Sequence, residues 1–291
     1  MDGARKKQKA LPMQVLRTMM QVSNTEWEVA TSWLLIGAIF FAMRSCEYLQ
    51  TSSREDMKRT RILRIRNLKF VKDGMQLDYN DPRLEHSDII MITFEFQKND
   101  QRDVQIHMFR TNDELLNPVK AWARTVQRIL KYPGSSEQSK VCMFWSKDKG
   151  ASVIQADHVR TRLRSMVDII GEANLGFTKE EIGLHSLRSG GAMAMFLSGT
   201  STIVIRRIGR WSSEAFLEYI REQVEDFTAG VAQKMLKFEK FSNMRDSNKV
   251  SEKLLNTQDN EDGLDTVPFT MKFSDLALNS DFRKNVRKGH R

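Results

Sequence analysis

Apolar positions run almost without a break from Trp27 to Leu49. That predicts a long helix, apolar on nearly all sides, which belongs in the middle of a domain. Ser23-Asn24-Thr25-Glu26 ahead of it has the form of a capping box, with Ser23 as the cap and Glu26 three residues on. Residues 50–60 are polar and predict a loop. Alternation then takes over. Ile62, Leu63, Ile65, Leu68, Phe70 and Val71 interleave with Arg61, Arg64, Arg66 and Lys69, which predicts a half-buried strand with a basic outer face. Asp73-Gly74 is a tight-turn pair, and Met75-Gln76-Leu77 returns from it. Ile89 to Phe96 forms a second strong strand, and Val104 to Met108 is its partner across a polar turn that holds Lys98. The expected sheet is antiparallel, with about three strands.

Helical spacing dominates the rest. Asn117-Pro118 is a cap followed by proline at the first helical position, and Trp122, Val126, Ile129 and Leu130 fall at core spacing behind it. Val141 to Trp145 predicts a short buried strand. Ala156 to Ile170 predicts a helix with Val159, Leu163, Met166, Val167 and Ile170 inward. Arg160, Arg162 and Arg164 lie around it; contact with phosphates and a solvated face are both open readings. A further helix is expected over Val224 to Phe238. The fold class is therefore α+β, mainly α, with a small antiparallel three-stranded sheet. The expected domains are a basic amino-terminal arm over 1–23, one main domain over 24–240, and a polar tail over 241–291 that is partly disordered or docks on the body or a neighbour.

Composition changes this picture in two ways. Lys and Arg number 46 against 37 Asp and Glu, a formal charge of +9, which favours an anionic partner such as nucleic acid. Only two cysteines occur, Cys46 and Cys142, in separate segments; a disulfide framework or zinc site is not expected, and a reducing, intracellular compartment fits. The first ten residues lack the apolar core of a secretory signal. The apolar run Trp33 to Met43 is too short to span a bilayer and ends at Arg44, so no membrane partner is expected.

Several polar residues need a reason. Arg44 and Glu47 sit three apart near the end of the apolar helix, where an unpaired charge is costly. Either they pair with each other, or Arg44 faces an anion. His185 and Arg188 share one side of a helical turn ahead of the small-residue run Ser189-Gly190-Gly191-Ala192. A Gly209-Arg210-Trp211 corner follows, and Tyr219 lies eight residues beyond Trp211. Breaking a DNA backbone without a metal needs a nucleophile, cations for the growing negative charge, and an acid for the leaving oxygen. A tyrosine suits the first role because its phosphodiester link is reversible. Paired arginines suit the second because they present planar, bidentate donors. Histidine and lysine suit proton transfer.

Arg44, Lys98, His185-x-x-Arg188, Gly209-Arg210-Trp211 and Tyr219, in that order, resemble the catalytic domain of the tyrosine recombinases (phage-integrase type) over about residues 24–238. Phe41 to Leu49 and Gly209 to Ser213 look most like recombinases of eukaryotic mobile elements, the Crypton and DIRS-like groups. The resemblance implies a helical catalytic domain that breaks and rejoins double-stranded DNA through a 3′-phosphotyrosyl intermediate. It implies no cofactor or metal, self-assembly as a dimer or tetramer on DNA, and a nuclear or cytoplasmic location. By position, Arg44 and Arg188 are expected to clamp the phosphate, His185 to act as base or donor, Lys98 as general acid and Tyr219 as nucleophile, with Glu47 and Arg210 supporting. The remaining position is His or Trp in the family. Trp211 is preferred for it, although Arg210 has the usual nine-residue spacing to Tyr219. Members also carry a helical DNA-binding domain ahead of the catalytic one; with only residues 1–23 in front, this chain is expected to be a fragment or to lack that half. Alternatives are a relative that binds DNA without cutting it, and a type IB topoisomerase.

Overall fold

The structure, a computed structural model, describes residues 8–51, 60–96, 102–146, 148–213 and 216–217. The expected acid Lys98, the expected nucleophile Tyr219, the helix Val224 to Phe238 and the tail lie outside these residues.

Helix α1 (Met13–Gln21) buries Val15, Leu16 and Met19. It sits within the stretch read as a basic arm, yet these three residues and Leu11 belong to the main apolar core. Helix α2 (Glu26–Phe40) is buried along most of its length, as an apolar surface on all sides requires. Its cap is Thr25, whose side chain accepts from the Glu28 N–H while Glu28 reaches back to the Thr25 N–H. The capping box thus lies two residues later than Ser23-Glu26. Ser23 instead donates to the Met19 carbonyl and bonds Ser32.

The expected long helix to Leu49 is broken. After Phe40 the chain turns through Ala42, whose φ is +42°, and resumes as the short helix α3 (Ser45–Tyr48). The break places the carbonyls of Phe41 and Ala42 where arginines from distant sequence reach them.

Strands β1 (Leu68–Lys72), β2 (Met75–Leu77), β3 (Ile89–Phe96) and β4 (Arg102–Phe109) form one antiparallel sheet in the order β2-β1-β3-β4. It has four strands, not three: the returning segment Met75-Gln76-Leu77 pairs fully with β1 across the Asp73-Gly74 turn, where both residues have positive φ. The expected strand also begins later, at Leu68, because residues 65–67 form a single 3-10 turn. Leu68, Ile92 and Ile106 lie in one register row, and all three are buried in the core.

Helix α4 (Pro118–Leu130) starts as expected, with Asn117 accepting from the Lys120 N–H and Pro118 in the first turn. Its Trp122 lies against α2, where a Cβ on Gly37 would stand 2.7 Å from the indole. Strands β5 (Met143–Ser146) and β6 (Gly150–Val153) form a separate hairpin. Helix α5 (Ala156–Ile170) has the expected bounds. Its arginines are engaged internally: Arg160 with Asp157, Arg162 with Glu28, and Arg164 with the Ile182 carbonyl. Then come α6 (Glu172–Leu175), α7 (His185–Leu197) and α8 (Thr202–Gly209). The protein is thus α+β, mainly helical, with an antiparallel sheet. Among the described residues, no helix is long and apolar enough to cross a membrane.

Candidate functional site

Helix α7 approaches its neighbours backbone to backbone, and two glycines allow it. A Cβ on Gly190 would lie 2.2 Å from the Leu11 carbonyl oxygen, and one on Gly191 would lie 2.3 Å from that of Ile39. No side chain fits in either place. The Leu11 N–H donates to the Ser186 carbonyl at 2.9 Å, which seats the first turn of α7. This contact brings Arg188 under the break that follows α2. Its Nη1 donates to the Ala42 carbonyl at 2.7 Å and its Nη2 to the Gly209 carbonyl at 2.6 Å. Arg188 is 2% exposed.

The corner after α8 is a helix stop with an unusual residue in it. The Trp211 N–H donates to the Arg206 carbonyl and the Arg210 N–H to that of Arg207, the paired bonds of a Schellman motif. Arg210 takes the left-handed position, φ +58° and ψ +44°, where glycine is the usual residue. The turn sends neighbouring side chains to different places. Trp211 folds back over Gly209, where a Cβ would stand 1.6 Å from the indole. Its ring also covers the Arg188 guanidinium, 4.2 Å from the ring centroid. Phe216 backs the indole at 5.4 Å.

Arg210 turns inward. Its Nη2 donates to Glu47 Oε2 at 2.8 Å, and its Nη1 to the carbonyls of Phe41 at 3.1 Å and Ile208 at 2.8 Å. Its guanidinium lies 3.7 Å from the centre of the Phe94 ring on β3.

Glu47 is the hub. It is fully buried in α3 and receives Arg44 twice: the Arg44 N–H donates to Oε2 at 2.8 Å, and Nη1 donates to Oε1 at 3.0 Å. The backbone bond is the returning half of a capping box, which explains the spacing of three. Arg44 Nη2 also reaches the Arg210 carbonyl at 3.4 Å. Burial pushes the Glu47 carboxyl up, but Arg210, Arg188 and Arg44, with the Arg44 N–H, outweigh it and hold the pKa below the usual value. Glu47 is therefore ionised at neutral pH. Of the two sequence readings of Arg44, the pairing with Glu47 is found, and its side chain keeps 20% of its exposure at the edge of the cluster.

His185 is the first residue of α7 and remains exposed as a residue. Partial loss of hydration lowers its pKa from the ordinary 6.5, and the charges of Arg188 and Arg44 lower it further. The ring is neutral at pH 7 and competent to accept a proton.

The fold thus brings Arg44, Glu47, Arg188, Arg210 and Trp211 into one connected cluster, with His185 in the field of its cations. Of the two corner residues, Arg210 is committed to Glu47 and backbone carbonyls, whereas Trp211 is half-buried at the surface of the cluster. The inward aim of Arg210 and the carbonyls of Phe41, Ala42 and Gly209 were missed from the sequence. The only hint was an arginine in the position after a Gly-ended helix. A concavity of about 710 Å³ between Trp27, Phe144, Val153 and His158 shares no lining residue with the cluster.

No family model and no curated protein matches this chain. Some solved structures are similar to it at low identity. The XerH site-specific recombinase bound to difH substrate, in a pre-cleavage complex, is 14% identical with a TM-score of 0.49 over 82% of this chain. The Tn1549 transposon integrase in complex with transposon right end DNA is 9% identical with a TM-score of 0.47 over 81% of this chain and 67% of its own. This chain spans 57% of the length of the XerH chain it matches.

Proposed function

We propose that this chain breaks and rejoins double-stranded DNA as a tyrosine recombinase or integrase of a mobile element, through a 3′-phosphotyrosyl intermediate. The observation that carries the proposal is the gathering of Arg44 and Arg188, far apart in sequence, around ionised Glu47 with neutral His185 beside them. Such a group of cations meets the need of a pentavalent phosphate for fixed positive charge. In this reading Arg44 and Arg188 bind the non-bridging oxygens. Trp211 donates its indole N–H to the same phosphate. His185 accepts the phenolic proton of Tyr219 as its oxygen attacks phosphorus. The bond to the 5′ oxygen breaks, and Lys98 donates the proton that the leaving oxygen takes. Rejoining runs the same steps backward. Assembly of two or four copies on DNA, and a nuclear or cytoplasmic location, belong to the same proposal.

The test uses nicked suicide duplexes carrying the end sequence of the element that encodes the chain. A covalent protein–DNA adduct is expected, and Tyr219→Phe is expected to abolish it. An adduct that forms equally well with the phenylalanine variant overturns the reading.

One observation favours a second reading, DNA binding without cleavage: Arg188 is 2% exposed, with both terminal nitrogens on backbone carbonyls beneath Trp211. That reading predicts salt-sensitive duplex binding and no adduct. Sequence-independent relaxation of supercoiled plasmid would point instead to a topoisomerase.

A further inference from the structure

We infer that Arg210 is a positioning residue: as the buried counter-ion of Glu47, it holds the carboxylate that in turn holds Arg44 in the phosphate site. The inference deepens the proposed function and rests on it for the role of Arg44.

The geometry is specific. Glu47 Oε2 is shared between the Arg210 Nη2 and the Arg44 backbone N–H, each at 2.8 Å, while Oε1 takes the Arg44 side chain at 3.0 Å. Of the two arginine side chains on Glu47, that of Arg210 has no exposure and that of Arg44 keeps 20%. The two have different surroundings. Arg210 is fixed on four sides, by Glu47, by the Phe41 and Ile208 carbonyls, and by the face of Phe94. Arg44 has Glu47 and one longer bond to the Arg210 carbonyl. A ligand at the cluster edge therefore competes for Arg44, not for Arg210.

The backbone points the same way. A left-handed residue after a helix is usually glycine, and a side chain there costs roughly 1–2 kcal/mol. Arginine is found there, and both of its terminal nitrogens are hydrogen-bonded, whereas its buried Nε makes no hydrogen bond among the described residues.

The charged and titratable groups facing the carboxylate are Arg44 with its neighbours Cys46 and Tyr48 on α3, Arg188 from α7, and Arg210 from the corner after α8. His185 lies beyond Arg188 and Arg44. Arg210 gives the largest lowering of the Glu47 pKa after burial has raised it. Without it, Glu47 titrates at higher pH, and protonated Glu47 releases its ionic hold on Arg44.

The experiment compares the wild type with Arg210→Met and Arg210→Lys. Melting temperatures are measured from pH 4 to pH 8, and adduct formation on the suicide duplex at pH 7. If Arg210 is the counter-ion, the gap in melting temperature between wild type and Arg210→Met widens as pH rises, because the lost contribution exists only when Glu47 is ionised. Arg210→Lys restores the charge but not the planar fork, so its gap stays nearly flat with pH. Adduct formation falls roughly tenfold or more in Arg210→Met and partly recovers in Arg210→Lys. A pH-independent gap of equal size in both variants reduces Arg210 to a scaffold and overturns the inference. Should Arg210→Met not fold, Arg210→Lys in a Glu47→Gln background decides: a pH-dependent gap relative to Glu47→Gln alone also overturns it. Absence of any wild-type adduct defeats the proposed function and leaves the melting-temperature result to judge Arg210 by itself.

Discussion

Arg188 Nη1 lies 2.7 Å from the carbonyl oxygen of Ala42, 146 residues earlier in the chain. The same guanidinium holds the Gly209 carbonyl at 2.6 Å. One side chain therefore joins the break after α2, helix α7 and the corner after α8. Those segments carry the arginines and aromatic group of the site.

Arg188 and Arg44 are expected to differ in stability and agree in activity. Arg188→Ala strands two carbonyls beneath Trp211 and is expected to cost about 2–5 kcal/mol in urea unfolding. Arg44→Ala removes a part-exposed partner while Arg210 still holds Glu47, and is expected to cost about 1 kcal/mol. Both are expected to lower adduct formation by about a hundredfold or more. Equal and large losses of stability would count against the separate roles given to them.

The glycine contacts predict an ordering. Gly191→Ala places a methyl 2.3 Å from the Ile39 carbonyl, so α7 must move; a cost of about 2 kcal/mol or more is expected, with loss of the adduct. Gly199 has φ +80° and nothing near its missing Cβ, so Gly199→Ala carries only backbone strain of roughly 1–2 kcal/mol and keeps adduct formation among molecules that remain folded. Circular-dichroism melts and the suicide-duplex assay check both halves.

Glu47 sets an acid dependence of stability. Its folded pKa lies below the ordinary 4.5, so its ionic contribution is present above about 4.5 and is lost as pH falls through the lower folded value. Wild-type stability is expected to fall below pH 4.5 more steeply than that of Glu47→Gln, which lacks this group. Parallel curves for the two proteins would show that Glu47 is not the group titrating.

His185 sets an acid limb on activity. Its pKa is lowered from 6.5, so adduct formation is expected to be flat at neutral pH and to fall about tenfold per unit once pH drops below a midpoint under 6.5. His185→Gln should be slower and lose that limb. A midpoint above 7 would contradict the geometry around His185.

Much of the secondary structure was legible because the signals were local. Asn117-Pro118 set the start of α4, Asp73-Gly74 set a hairpin, and apolar spacing set both ends of α5. The errors arose where one particular hydrogen bond, local or tertiary, decides. Ser23, Asn24 and Thr25 are all residue types that cap helices, and only the bond to the Glu28 N–H selects Thr25. The run from Trp27 to Leu49 has no proline, and its one glycine, Gly37, lies inside α2, yet the helix breaks further on, where Arg188 and Arg210 take the carbonyls of Ala42 and Phe41. Strand β2 is only three residues long, Met75–Leu77, too short to stand out as a strand of its own. Arg44, Glu47, His185 and Arg188 were found by their spacing along helices. The division of labour at Arg210 and Trp211 was not, because one left-handed residue reverses which side chain faces inward.

The arginines of α5 bear on how the positive charge is to be counted. Arg160 and Arg162 already have carboxylate partners, whereas Arg164 meets only a neutral carbonyl and keeps its charge. A phosphate reaching Arg160 or Arg162 must first compete with that carboxylate before a counterion leaves the DNA. The chain's formal charge of +9, which already subtracts those carboxylates, therefore does not set how steeply its hold on DNA weakens with salt; the slope counts the phosphates that its lysines and arginines reach.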